Sequence, residues 1–176
     1  MEFKGATLLY TLAGLMTTFA GFSALLMALR PAAGARVSLL DKFLAKTVMS
    51  HIIILTAAAL LPSLFALYDV HENWIWRASG VLFALPMVTF QVTYPRRRRK
   101  EVGQGPPFPV MAVFVVLGAA VTLAMLVYVL AGLPNSGAVY ITAVTIDFFT
   151  VAFAFLNAVD VIMQQPIEVP ERPAKH

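Results

Sequence analysis

The stretch Val110–Ala131, VMAVFVVLGAAVTLAMLVYVLA, decides the fold class of this chain. It contains no charged residue, and a helix of about 20 largely apolar residues is long enough to cross a bilayer. The whole sequence shares this character, since 60% of its 176 residues are hydrophobic and only 12% are charged. A soluble domain has about 25% charged residues, and a chain this short cannot hide such an apolar surplus in a soluble core. The sequence therefore predicts an all-α, polytopic membrane protein.

Four further apolar runs bring the number of predicted transmembrane helices to five, because proline-, glycine- and asparagine-rich stretches separate them. The predicted spans cover about residues 5–29, 43–68, 74–94, 110–131 and 138–163. The first run is too long for the core of a cleaved signal peptide, and we interpret it as a retained helix. Residues 1–163 form one transmembrane domain, and the proline-containing segment 164–176 is expected to be a flexible cytoplasmic tail.

Lysine and arginine placement predicts the orientation. Of the 13 basic residues, only Lys4 and Arg77 fall on one side of the predicted spans. Cytoplasmic loops are enriched in basic residues, so we expect the N-terminus outside and the C-terminus in the cytoplasm. A basic run, Arg96, Arg97, Arg98, Arg99 and Lys100, directly follows the third span. There it is typical of a contact with anionic lipids, at about 1 kcal/mol per basic residue, and not of a nucleic-acid site.

Two local patterns concern helix ends and helix packing. Ser38 and Asp41 have capping-box spacing, which predicts that the second helix begins before the membrane. The first span carries a stripe of small residues, which permit close helix–helix approach. This stripe comprises Thr7, Gly14, Thr17, Gly21, Ala24 and Ala28. We expect it to pack inside the bundle, and an interface between subunits, in a homo-oligomer or a larger complex, is the alternative.

Prolines inside the second and third spans leave backbone carbonyls without their helical donor. Pro62 frees the carbonyl near Ala58, and Pro86 frees the one near Leu82. Neighbouring helices tolerate such prolines in membranes, so a simple kink is expected. A hinge, or a carbonyl that lines a polar cavity, is the alternative.

Asp147 is the main candidate for a functional residue. It lies roughly 15 Å along the fifth helix from its outer end, near the bilayer midplane. An intramembrane carboxylate is costly and is a functional candidate by default. Other polar residues lie at the depth of Asp147 or closer to the cytoplasmic side of the membrane, namely Thr150, Asn157, His51 and Gln91. We expect them to line an inward-facing cavity together with Thr47. The alternative is a structural Asp147 that joins helices through a hydroxyl such as Thr17 or Thr18.

Other ligand sites and enzymatic motifs receive little support. His51 invites a haem or chlorin hypothesis, but a hydrogen-bonded or cavity-lining histidine is expected instead. The outer loop from Asp69 to Asn73 matches no metal-ligand spacing, so neither a metal nor a cofactor is predicted. The sequence contains no phosphate-binding loop, nucleophile elbow or zinc-protease motif. We therefore expect a protein that is not an enzyme.

Three short stretches carry a family resemblance. They are Ala20–Ala24 (AGFSA), Leu60–Leu64 (LLPSL) and Trp76–Ser79 (WRAS). Through them the first half of the chain resembles small multi-pass bacterial membrane proteins that have no assigned function. The resemblance implies a location in the bacterial plasma (inner) membrane and carries no activity with it.

The sequence supports three functional hypotheses. The leading one is a channel or transporter for a small ion or proton, with Asp147 as the central site. The second is a non-catalytic accessory or structural subunit of a larger membrane complex. The third is a haem- or pigment-binding membrane subunit that uses His51.

Overall fold

The chain folds as a bundle of long helices. The computed structural model describes residues 5–32 and 38–163, and every element in these ranges is helical. The helices are α1 (Ala6–Ala32), α2 (Leu39–Ala66), α3 (Glu72–Val102), α4 (Phe108–Leu130) and α5 (Ser136–Met163). All five are long and apolar enough to cross a membrane. This confirms the all-α prediction with five helices of membrane-spanning character, while the predicted tail, 164–176, lies outside the described residues.

The start of α2 matches the capping prediction. The Ser38 hydroxyl accepts a hydrogen bond from the Asp41 backbone N–H at 3.1 Å, and the Asp41 carboxylate accepts one from the Ser38 N–H at 2.9 Å. These reciprocal bonds satisfy two of the backbone donors left free at a helix start. As a result α2 begins at Leu39, ahead of the apolar run.

The end of α3 corrects the sequence prediction. The helix passes through Pro95 and ends at Gly103, whose φ of 79° is the left-handed conformation that favours glycine at a helix end. Proline removes one backbone hydrogen bond, but Tyr94 and Arg98, one turn apart, are both buried and hold this part of α3 against the bundle. The basic run Arg96–Lys100 therefore lies on a helix and not in a loop.

Packing follows a simple neighbour pattern. Helix α2 contacts α1, α3 and α5, while α4 packs between α3 and α5. The centre is filled by large side chains, and Phe83, Met87 and Tyr140 are among those with almost no exposed surface. Helix α1 lies at the periphery, so one side of it faces away from the other four helices.

The small-residue stripe lies on that outer side of α1. All six of its members are exposed, and a Cβ built on Gly14 or Gly21 would meet no other atom within 4 Å. Helix α1 instead packs through larger residues, among them Leu9, Leu12 and Met16. The expectation that the stripe packs inside the bundle is therefore wrong, because interlocking bulky side chains fill that interface. The alternative of a subunit interface stays a prediction.

One of the two carbonyls freed by proline has a defined partner. The Tyr140 hydroxyl of α5 donates to the Ala58 carbonyl at 2.8 Å, and Tyr140 is fully buried. Pro62, four residues after Ala58, has no N–H to make this bond within α2. Here the carbonyl that the proline leaves free joins two helices through a hydrogen bond.

Candidate functional site

Asp147 lies at the meeting point of three helices. The Gln91 side chain of α3 donates from Nε2 to Asp147 Oδ1 at 3.2 Å. The Thr122 hydroxyl of α4 lies 2.8 Å from Asp147 Oδ2, within hydrogen-bonding distance. All three side chains have no exposed surface. We call Gln91, Thr122 and Asp147 the Asp147 triad.

Gly118 allows the triad to form. A Cβ built on Gly118 would collide with Gln91 Nε2 and would lie 3.3 Å from Asp147 Oδ1. Small residues permit this kind of close approach between membrane helices. Gly118 also directly follows a π-helical segment of α4, Ala112–Leu117. Short π-helical segments occur frequently at functional sites.

The Thr122 hydroxyl makes the triad compatible with two proton arrangements. Thr122 Oγ1 lies 2.8 Å from Asp147 Oδ2 and 2.9 Å from the Gly118 carbonyl oxygen. The hydroxyl has one hydrogen and can also accept. If it donates to Asp147, Oδ2 carries no proton, as in the ionised carboxylate. If it donates to Gly118, a protonated Asp147 can donate to Oγ1. The same heavy-atom positions therefore suit both forms of Asp147.

The triad contains no counter-charge. Gln91 and Thr122 are neutral, and they are the side chains that hydrogen-bond Asp147 within residues 5–32 and 38–163. In the same ranges no lysine, arginine or histidine forms a salt bridge with it. A buried carboxylate without a cation costs several kcal/mol. Proton loss at Asp147 thus creates a charge that the triad alone does not neutralise.

A cavity of about 200 Å³ opens at the end of the bundle that carries Arg96–Lys100, which we call the basic end. Residues of α2, α3, α4 and α5 line it, and we call it the basic-end cavity. Its polar lining comes from Thr47, Tyr94, Arg98 and Asn157, and the rest is apolar. Of the residues expected to line an inward-facing cavity, Thr47 and Asn157 are here, whereas Gln91 belongs to the Asp147 triad.

An aromatic layer separates the basic-end cavity from the triad. Phe114 lines the cavity and lies one turn of α4 before Gly118. Its ring centroid is 5.0 Å from that of His51 and 4.9 Å from that of Tyr94. Phe90, next to Gln91 in sequence, packs on His51 at 5.5 Å. We call His51, Phe90, Tyr94 and Phe114 the aromatic layer.

His51 is enclosed by this layer. Its side chain is 1% exposed, and neither ring nitrogen has a hydrogen-bond partner in the described part of the chain. The expectation of a hydrogen-bonded histidine is therefore wrong for the described residues, since aromatic rings surround the imidazole. Axial ligation of a haem or chlorin would require Phe90 and Phe114 to move away.

The remaining predicted residues do not join the triad. The Thr150 hydroxyl donates to the Ile146 carbonyl at 3.1 Å, and the Asn157 amide donates to the Phe153 carbonyl at 2.8 Å. Both bonds lie within α5. The two residues therefore share a helix with Asp147 without contributing to its hydrogen bonds.

The hydroxyl partner proposed from the sequence was on the wrong helix. Thr17 and Thr18 donate to carbonyls of α1 itself, at 2.9 and 3.0 Å, and both are exposed. The actual partner, Thr122, is the single serine or threonine in α4 and follows Gly118 by one turn. That pairing of a small residue and a hydroxyl on an apolar helix is the signal that could have identified it.

Comparison of the chain with protein-family models, with curated proteins and with solved structures gave no match. A functional interpretation therefore rests on the chemistry of the residues themselves.

Proposed function

We propose that this chain is a proton-conducting multi-pass membrane protein in which Asp147 binds the transported proton. One observation carries the proposal: a fully buried carboxyl group contacts neutral partners whose positions suit both its protonated and its ionised form. Intramembrane carboxyl groups with these properties are typical of proton relays.

The geometry favours a proton over a metal cation. Each carboxyl oxygen of Asp147 has one direct hydrogen-bond contact, at 3.2 and 2.8 Å, so a cation placed between the carboxyl group and either partner would have to displace that contact. Hard cations such as Ca²⁺ need six or more oxygen ligands. In the described ranges, no cluster of acidic residues and histidines could hold a metal ion. A proton needs neither the space nor the ligands.

Placement in the membrane follows from the charge distribution. Eleven of the 13 basic residues belong to one side, which supports a cytoplasmic basic end and an N-terminus outside. The resemblance to small bacterial multi-pass proteins supports the bacterial plasma membrane as the location. Protons would then reach Asp147 from the cytoplasm through the basic-end cavity.

Phe114 is the gate in this proposal, because it lies between the basic-end cavity and the Asp147 triad. It belongs to the π-helical segment Ala112–Leu117. If this segment becomes α-helical, the residues before it change register by one position, a rotation of about 100°. Such a rotation carries Phe114 out of the aromatic layer and connects the cavity with Asp147.

A flux measurement with a matched control tests the proposal. The full chain is reconstituted in phosphatidylcholine vesicles that contain a pH-sensitive dye, and a potassium diffusion potential drives protons. Asp147→Asn keeps the shape of the side chain but cannot exchange the proton. Asp160→Asn removes an exposed acid from the same helix. We expect flux in the wild type and in D160N, and in D147N only the leak of protein-free vesicles.

Two results would contradict proton conduction through Asp147. Flux in D147N equal to that of the wild type would show that protons bypass Asp147. Wild-type flux equal to that of protein-free vesicles would show that the isolated chain conducts no protons.

An accessory subunit is the second candidate, and the exposed small-residue stripe on α1 favours it. No other helix of the described chain covers this face at Gly14 or Gly21. Such a face suits close packing against another membrane helix, in a homo-oligomer or a larger complex. Purification at a fixed ratio with another chain, together with no flux by the isolated chain, would favour this candidate.

A further inference from the structure

The basic-end cavity contains a buried arginine that proton conduction does not use. Arg98 lines the cavity and is only 9% exposed. Its Nε atom is buried and has no hydrogen-bond acceptor in the part of the chain that the structure describes. A buried cation needs a counter-charge or several acceptors to offset the loss of water. Arg98 therefore has a hydrogen-bond donor that no described residue uses.

The described residues that line the cavity beside Arg98 do not neutralise it. The Tyr94 hydroxyl interacts with the guanidinium, but it is a neutral group. The acidic residue nearest in sequence, Glu101, instead forms a salt bridge with Lys46 at 3.7 Å. The other polar lining groups, Thr47 and Asn157, are neutral as well. Among the described residues that line the cavity there is thus one cation and no anion.

We propose that the basic-end cavity binds an anionic phospholipid, with the phosphate at Arg98 and the first part of an acyl chain on the apolar lining. Arginine suits phosphate because its planar guanidinium donates two parallel hydrogen bonds. Leu44, Val48 and Phe114 supply an apolar surface for the chain. Charge and apolar surface in one cavity match an amphiphile better than a small hydrated anion.

Size and position agree with a lipid that enters only in part. The volume of about 200 Å³ is below the roughly 300–1,000 Å³ of sites that enclose a whole ligand. The cavity lies at the basic end, where the exposed Arg96, Arg99 and Lys100 attract anionic headgroups. The remainder of the lipid then stays in the bilayer. Its binding does not depend on proton conduction, although a lipid seated on Phe114 would close the proposed proton route.

Lipid titration of the purified full chain tests this site, with bound lipid counted by native mass spectrometry in detergent. The probes are phosphatidylglycerol, phosphatidylcholine with the same acyl chains, and inorganic phosphate. Arg98→Gln removes the buried cation, and Arg99→Gln removes an exposed one beside it as a matched control. We expect R98Q to bind phosphatidylglycerol about tenfold more weakly than the wild type, as the loss of a charge-assisted contact implies. R99Q should weaken binding clearly less than R98Q, because Arg99 is exposed and contributes only a surface attraction.

A second variant separates the apolar part of the site from the charge. Ala154 lines the cavity, and Ala154→Leu fills part of it without changing the charge. We expect A154L to weaken phosphatidylglycerol binding as well. If R98Q does not fold, A154L still tests whether the lipid occupies the cavity.

Four results would overturn the proposal. Equal phosphatidylglycerol affinities of R98Q and R99Q would show that the lipid binds to the basic surface in general and not at Arg98. Unchanged binding by A154L would show that the lipid does not enter the cavity. Equal binding of phosphatidylcholine would show that the anionic headgroup is not recognised. Binding of inorganic phosphate as tight as that of phosphatidylglycerol would make this a small-anion site and not a lipid site.

Discussion

Gly118→Ala is the substitution that probes the Asp147 triad most specifically without touching its members. The added methyl group would collide with Gln91 Nε2, at the end of a fully buried side chain. The Gln91 amide must therefore move, and it loses its hydrogen bond to Asp147 Oδ1. Because the substitution leaves Asp147 and Thr122 unchanged, its effect reports on the packing that holds the triad together.

The expected magnitude follows from two opposing terms. Loss of a buried hydrogen bond costs about 1–3 kcal/mol. Alanine is favoured over glycine within a helix by about 0.8–1.0 kcal/mol. Gly14→Ala on α1 has the same propensity gain, but its methyl group would meet no atom within 4 Å. The difference between the two variants removes the propensity term, so G118A should be about 1–3 kcal/mol less stable than G14A.

The assay is reversible unfolding of the purified chain in mixed micelles, with the free energy of unfolding compared between G118A, G14A and the wild type. Helix content of the folded variants is checked by circular dichroism. Equal stability of G118A and G14A would mean that Gln91 and Asp147 do not meet across Gly118.

Two further predictions concern the scaffold. Tyr140→Phe leaves the Ala58 carbonyl without a donor, and the free energy of unfolding should fall by about 1 kcal/mol, within the range for hydrogen bonds between membrane helices. The control is Tyr10→Phe, which changes an exposed tyrosine in the same way. Equal stability of the two variants would contradict the hydrogen bond between Tyr140 and Ala58. Ser38→Ala removes the cap of α2 and should cost about 1 kcal/mol, measured by the same unfolding; no loss would show that the capping box contributes nothing.

Much of the fold could be predicted because the bilayer imposes simple rules on sequence. Apolar runs of sufficient length gave the five helices, and the Ser38–Asp41 spacing gave the start of α2. The end of α3 was missed because the third predicted span stops at residue 94, just before Pro95, whereas the helix continues to Val102. Tertiary burial of Tyr94 and Arg98 outweighs the one backbone bond that this proline removes.

The candidate site was harder to predict because it depends on which helix faces meet. Asp147 stood out by its depth alone, and Gln91 was named with it, but nothing in the sequence fixed their contact. Thr122 was missed, and Thr17 was offered instead, since helix neighbours in a bundle do not follow from the sequence of one helix. The prediction that the small-residue stripe on α1 packs inside the bundle was wrong for the same reason.

Infrared difference spectroscopy of the reconstituted chain detects proton exchange at Asp147 itself. We expect a carboxylic acid band in the wild type and in D160N that changes with pH and shifts in D2O, and that is missing in D147N. A band assigned to Asp147 that responds to neither pH nor D2O would contradict proton exchange there and would make Asp147 a sealed structural contact between helices.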